Sequence, residues 1–189
     1  MSKARESDDS AGANGSRYDA FVSYAHEDKV TARWLAELLG DYWVPGRRRR
    51  SVFLDTTTLA AGRLKDEIRE ALEASQFLVV CGSRYAAASP WVAEEIRVFR
   101  ELGREDRILA CRVGAPGDDA LPSGVAEIHQ SLEGGLLISD LRGFNASLSK
   151  AERQTYIEAA LALLARILGF ANKKALLDTV VRRRQLIFR

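Results

Sequence analysis

The sequence predicts an α/β fold: a flavodoxin-like, doubly wound, five-stranded parallel sheet with a basic helix at its C-terminal end. Three observations carry that expectation. Short apolar runs alternate with amphipathic stretches five times, the rhythm of parallel strands joined by crossover helices. The run Phe77–Cys81 is apolar throughout and valine-rich, as strands buried on both faces are. Just after it, Ser89-Pro90 pairs an N-capping hydroxyl with a first-turn proline, a strong helix start.

Residues 1–16 hold little that packs and read as a disordered lead-in. Tyr18–Tyr24 (YDAFVSY) is the first strand, and Ala25-His26-Glu27-Asp28 is the loop at its carboxyl end. Lys29–Leu39 carries Val30, Trp34, Leu35, Leu38 and Leu39 at helical spacing. Tyr42–Arg50 is a turn-rich, basic connection with Pro45, Gly46 and Arg47–Arg50. Ser51–Leu54 is the second strand and Asp55–Gly62 a loop. Arg63–Ala74 is a helix with Leu64, Ile68, Ala71 and Leu72 on its apolar face. After Phe77–Cys81, a loop with three alanines leads to the Ser89-capped helix, which ends near Leu102-Gly103. Arg107–Val113 is the fourth strand, Gly114–Gly124 a proline-containing loop, and Leu136–Ile138 a short fifth strand. Ser149 opens a helix running to Leu168, with Glu152 as its capping-box partner and Gly169 as its stop. Asn172–Phe188 is a second, basic helix. The expected domain is therefore residues 17–170, with 171–189 as a basic C-terminal helix or linker.

The 189 residues carry a net charge of +2, too weak a global field to drive nucleic-acid or membrane binding, so no nucleic-acid partner is expected. The charge is uneven: residues 171–189 are locally +5 and the remainder −3. Cys81 and Cys111 both sit in apolar runs, where thiols behave as small hydrophobes, and no disulfide framework is signalled. With no spanning apolar stretch and no secretory leader, a cytoplasmic location is the expectation. The apolar end Leu186-Ile187-Phe188 calls for something to bury against: a further domain or partner beyond residue 189, or an oligomer contact.

In the flavodoxin-like order the first and third strands are neighbours, and a crevice opens between their carboxyl ends. That order brings Ser23, Tyr24, Ala25 and His26 beside Trp91 and Glu95, which share one helix face four residues apart. Missing motifs bound the chemistry. There is no G-x-x-x-x-G-K-[ST], no G-x-G-x-x-G after the first strand and no G-x-S-x-G. His26 and His129 are not spaced as a metal pair, and no metal is expected. A receiver domain needs an aspartate at the end of the third strand, where Cys81-Gly82-Ser83 stands. A carboxylate beside an indole is left. Desolvation by the ring and repulsion from Glu94 both favour the neutral form of Glu95, although Glu94 is expected to point elsewhere on the helix. One carboxylate is too few for ordinary glycoside hydrolysis, which uses two. It can suffice where the leaving group departs without a proton, as nicotinamide does from the pyridinium of NAD. A fixed carboxylate then has only to stabilise oxocarbenium-like charge.

The stretches YDAFVSYAHED, FLDTTTLAAGRLKDEIREALEAS and FLVVCGSRYAAASPWVAEEI, in that order, resemble Toll/interleukin-1 receptor (TIR) domains of the bacterial, NAD-cleaving type, over roughly Tyr18–Leu168. The resemblance implies that Glu95, four residues after Trp91, is the catalytic glutamate. It implies that Phe21, Ser23 and Tyr24 wall the nicotinamide–ribose pocket, with Trp91 packed beside it. It makes Asp55–Gly62 the BB loop, which joins neighbouring domains and helps complete the site, so Asp55 and Gly62 enter the substrate-binding set. Ala25 and His26 stand where some relatives carry basic residues. The implied activity is an NAD+ glycohydrolase or cyclase, with NAD+ as substrate and no cofactor. Its products are nicotinamide with ADP-ribose or a cyclic isomer. The implied setting is bacterial antiphage defence, with activation by self-association into a homo-oligomer through TIR–TIR contacts.

A plainer reading stands beside each signal. Trp91 is equally at home in a core, and a glutamate in a helix's first turns is favourable with the dipole. His26 and Arg47–Arg50 fit an ordinary solvated surface, and Gly62 supplies a backbone conformation other residues resist. On that reading the chain is a non-catalytic TIR interaction module that assembles through the BB loop.

Overall fold

The apolar runs pair as their spacing predicts. In a computed structural model of the protein, which describes residues 16–54, 63–133 and 135–187, five strands form one parallel sheet. They are β1 (Tyr18–Ser23), β2 (Val52–Leu54), β3 (Ser75–Gly82), β4 (Ile108–Arg112) and β5 (Ile138–Asp140), in the order β2-β1-β3-β4-β5. The helices are α1 (Lys29–Asp41), α2 (Arg63–Glu73), α3 (Arg84–Ala88), α4 (Pro90–Glu101), α5 (Ser123–Ser131), α6 (Lys150–Ile167) and α7 (Lys173–Ile187). No helix among the described residues is long and apolar enough to cross a membrane.

Strand alternation divides the core in two. Ala20, Val22, Val79, Cys81, Leu109 and Cys111 face a cluster roofed by α1 and α6. Phe21, Leu78, Val80, Ile108 and Ala110 face the other, roofed by α2, α4 and α5. In the first cluster the thiols of Cys81 and Cys111, partners across β3 and β4, lie 3.6 Å apart. Leu176 and Val180 of α7 are buried in the same cluster.

Local chemistry sets the helix ends. Ser89 accepts the Val92 amide at 3.4 Å with Pro90 in the first turn. Ser149 and Glu152 close a capping box, with bonds of 3.3 and 2.8 Å. Gly169, at φ +75°, ends α6, while Phe170 N–H reaches Ala165 O and Gly169 N–H reaches Arg166 O. A cap contributes about 1 kcal/mol and a fully buried Leu or Phe about 1.5–3 kcal/mol, so caps place the ends while the clusters hold the layers.

Three expectations are corrected, and one helix is added. The alanine-rich stretch is helix α3, not loop: Ser83 caps it by accepting the Tyr85 and Ala86 amides, and alanine is the best helix former. Residues 123–131 form α5, which the sequence does not announce. Its N-cap position is Pro122, with no side-chain cap, and only Val125 and Ile128 of its face are buried. The fifth strand lies two residues later, at Ile138–Asp140, where Ile138 pairs with Ala110 and Ser139 Oγ donates to Ala159 O at 2.9 Å. Arg47–Arg50 is not a plain solvated turn. Arg50 is buried, and its guanidinium caps α1 by donating to Leu39 O at 2.9 Å and to Tyr42 O.

Arg48 in that turn grips Asp19 with two bonds, of 3.0 and 2.7 Å, and Asp19 also accepts the Ser51 amide at 2.7 Å. This carboxylate tethers β2 to β1. Asp19→Ala strands the Ser51 amide, and an unfolding free energy lower by about 1–3 kcal/mol is expected. Urea denaturation at constant slope checks it; an unchanged midpoint would mean that β2 does not need the tether.

Candidate active site

β1 and β3 are adjacent, with Ser23 level with Val80, so their carboxyl ends open side by side. The Ser89-Pro90 start sets α4 over the second cluster, where Val92, Ile96, Val98 and Phe99 are buried. Glu95 lies on that inward side and is only 8% exposed. Ser23, the last residue of β1, donates its hydroxyl to Glu95 Oε2 at 2.5 Å. A buried carboxylate is thereby fixed to a strand end by a charge-assisted bond. Glu94, beside it in sequence, turns outward and pairs with Arg97 at 2.6 Å. Trp91, one turn earlier, is 45% exposed and so is not a core residue.

The structure brings Ser23, Glu95 and Trp91 to one end of the sheet, and treats the other site candidates differently. Phe21 is fully buried two residues below Ser23, stacked on Phe53 with ring centroids 5.1 Å apart. It therefore lies in the core below the strand end rather than on an exposed wall. Tyr24 packs on the opposite face of the sheet, against the first cluster. His26 is exposed, in the 3-10 turn His26–Asp28 that links β1 to α1. Asp55 and Gly62 lie outside the described residues. No group of three or more His, Cys, Asp or Glu that could hold a metal occurs among the described residues.

A second serine–carboxylate pair went unread in the sequence. Ser83, just past β3, donates to Asp28 Oδ2 at 2.5 Å while its oxygen caps α3. The two bonds cross. The serine ending β1 holds a carboxylate on the second helix after β3, and the serine just past β3 holds a carboxylate in the turn after β1. Asp28 is 6% exposed, and burial pushes its carboxyl above the usual range; the Ser83 bond opposes this, and Glu27 and Asp118 reinforce it. Nearby, Asp118 accepts the Arg84 guanidinium at 3.0 Å, which holds its carboxyl low. An aspartate placed directly before a helix was the available signal for Asp28. Nothing in the sequence pointed to its partner, 55 residues away.

Residues 20–155 match the family model described as the TIR domain. Over 99 residues the chain is 41% identical to the NAD(+) hydrolase ApTIR of an Actinoplanes species. The matched stretch is 49% of this chain but 14% of that protein, so the chain spans only a small part of its curated relative. Among solved structures, the TIR domains of the activated Roq1 resistosome share 20% identity, at a TM-score of 0.42, over 90% of this chain and 99% of theirs. A diflavin flavoprotein A3 from Nostoc sp. shares 16% identity, at a TM-score of 0.48, over 79% of this chain and 93% of its own. Neither structural likeness is close enough to place a residue.

Burial of Asp28 makes stability depend on pH. Its raised pKa means that the ionised form opposes folding. The penalty is full at neutral pH and disappears as the pH falls through the folded pKa to the ordinary aspartate range near about 3.9. Asp28→Asn carries no such charge. Its stability relative to the parent is therefore expected to be greatest at pH 7 and to decline as the pH falls toward 4, as read by urea midpoints. A difference that stays flat with pH would mean that Asp28 is not desolvated.

Proposed function

The chain belongs to the TIR domain family, and on that premise we propose that it is an NAD+-cleaving enzyme whose reaction runs over Glu95. The observation that carries this reading is the buried Glu95, held by Ser23 at 2.5 Å at the carboxyl end of the sheet with half-exposed Trp91 one turn away. The 41% identity to a protein named as an NAD(+) hydrolase supports the substrate. Ligands in open α/β folds occupy this end of the sheet.

The bond between C1′ of the ribose and the pyridinium nitrogen breaks, and nicotinamide leaves neutral with the electron pair. No general acid is needed. Positive charge develops on the ribose, and the Glu95 carboxylate stabilises it electrostatically. The Ser23 hydroxyl keeps that carboxylate oriented before the substrate arrives, so little reorganisation remains in the transition state. Trp91 supplies an aromatic surface beside the ribose. Water attacking C1′ gives ADP-ribose and releases a proton; an internal nucleophile gives a cyclic isomer. The resemblance adds a role in bacterial antiphage defence and a dependence on self-association.

Product analysis tests this. Concentrated protein, with a crowding agent to favour assembly, is incubated with NAD+, and products are resolved by liquid chromatography–mass spectrometry. Nicotinamide release is expected from the parent chain and is expected to fall at least about 10²–10³-fold in Glu95→Ala. Ser23→Ala keeps the carboxylate but frees it, and a smaller loss, about tenfold and in kcat rather than KM, is expected. No release from an assembled parent chain would favour the interaction module.

A further inference from the structure

On the side of the sheet away from Glu95, α1, the connection between β5 and α6, and the first turns of α6 border a solvent-open cavity of about 260 Å³. Lys29, Arg33 and Glu37 follow one another at four-residue spacing along α1, with Trp34 beside them; Phe144 and Arg153 face them. Three cations meet one carboxylate, so the lining is net positive. Among the described residues neither the Lys29 ammonium nor the Arg33 guanidinium has a hydrogen-bond or ion-pair partner. Arg153 is held in place by Leu148 O at 3.0 Å and Ala146 O at 2.5 Å. The apolar wall is a cluster of rings in mutual contact: Trp34 stacks on Phe144 at 4.3 Å, and Phe144 meets Tyr156 edge-on at 5.5 Å.

Aromatic rings and unneutralised cations side by side are the two things that a base and a phosphate need. We infer that this cavity is a binding site for a mononucleotide, its base against the Trp34–Phe144 wall and its phosphate on Lys29, Arg33 and Arg153. Size selects within the class. Pockets for drug-sized ligands run from about 300 to 1,000 Å³, and 260 Å³, just below that range, favours one base, ribose and phosphate over a whole dinucleotide. The cavity lies under neither α4 nor the second cluster, so an occupant leaves the Glu95 crevice open. Lys29 directly follows Asp28, which puts the phosphate end one residue from the Asp28–Ser83 bond. The site stands whether or not Glu95 cleaves NAD+.

Calorimetric titration of the full chain with AMP, adenosine and inorganic phosphate separates the two halves of this recognition. AMP is expected to bind at one site per chain, with adenosine and phosphate each weaker by at least about tenfold. Arg33 and Lys29 are on the surface of α1, so Arg33→Glu and Lys29→Glu should fold. Each is expected to weaken AMP by about tenfold or more, while Glu95→Ala leaves it unchanged. Several results would overturn the proposal: no AMP binding at millimolar concentration, phosphate binding as tightly as AMP, or indifference to both charge reversals. Loss of AMP binding in Glu95→Ala would do so too, because it would put the nucleotide in the crevice. Loss of self-association in Arg33→Glu, with AMP never binding, would make this face a contact between copies.

Discussion

Two buried serine–carboxylate hydrogen bonds, Ser23 to Glu95 and Ser83 to Asp28, hold the carboxyl end of the sheet together. Each joins parts that the sequence sets far apart, and each carries a carboxylate that is less than a tenth exposed. In a low-dielectric setting such bonds are strong when made and expensive when broken. The hydroxyls sit at strand ends, where the sheet fixes the backbone, so the carboxylates inherit the precision of the sheet. The arrangement is reciprocal, and neither connection can move without disturbing the other strand's end.

Charge elsewhere is handled close to where it arises. The arginine-rich turn looks from its composition like a patch for an anionic partner, yet Arg48 is spent on Asp19, Arg49 on Asp41 and Arg50 on the carbonyls ending α1. The contrast with Lys29 and Arg33 is physical. Those two line a cavity whose only acidic lining residue is Glu37, and neither side chain is drawn into an ion pair among the described residues.

Much of the fold was legible because its signals are local. Ser89-Pro90, the Ser149–Glu152 box and Gly169 announce themselves within four residues, and the strand pairing follows from the apolar rhythm. α5 escaped because it has no polar cap and a narrow apolar face, and α3 because a short alanine run after a glycine reads as a loop. At the site, spacing put Glu95 one turn from Trp91, but it could not assign faces on β1. Ser23 and Tyr24 are neighbours in sequence, and pleating sends them to opposite sides of the sheet. Phe21 shares Ser23's side but is sealed by Phe53, whose position depends on β2 pairing with β1. The Asp28–Ser83 bond was illegible for the same reason as the depth of Phe21: both are properties of tertiary contact.

The sheet's outer strands, β2 and β5, are three residues long, while β3 at its centre has eight. Such short borders present few unpaired backbone groups to solvent. A foreign strand laid along either border would find too little ladder to template on. Any association with a second molecule would then fall to side chains on helices and loops, where recognition is set by shape and charge and can be edited one residue at a time without risking fibrous growth.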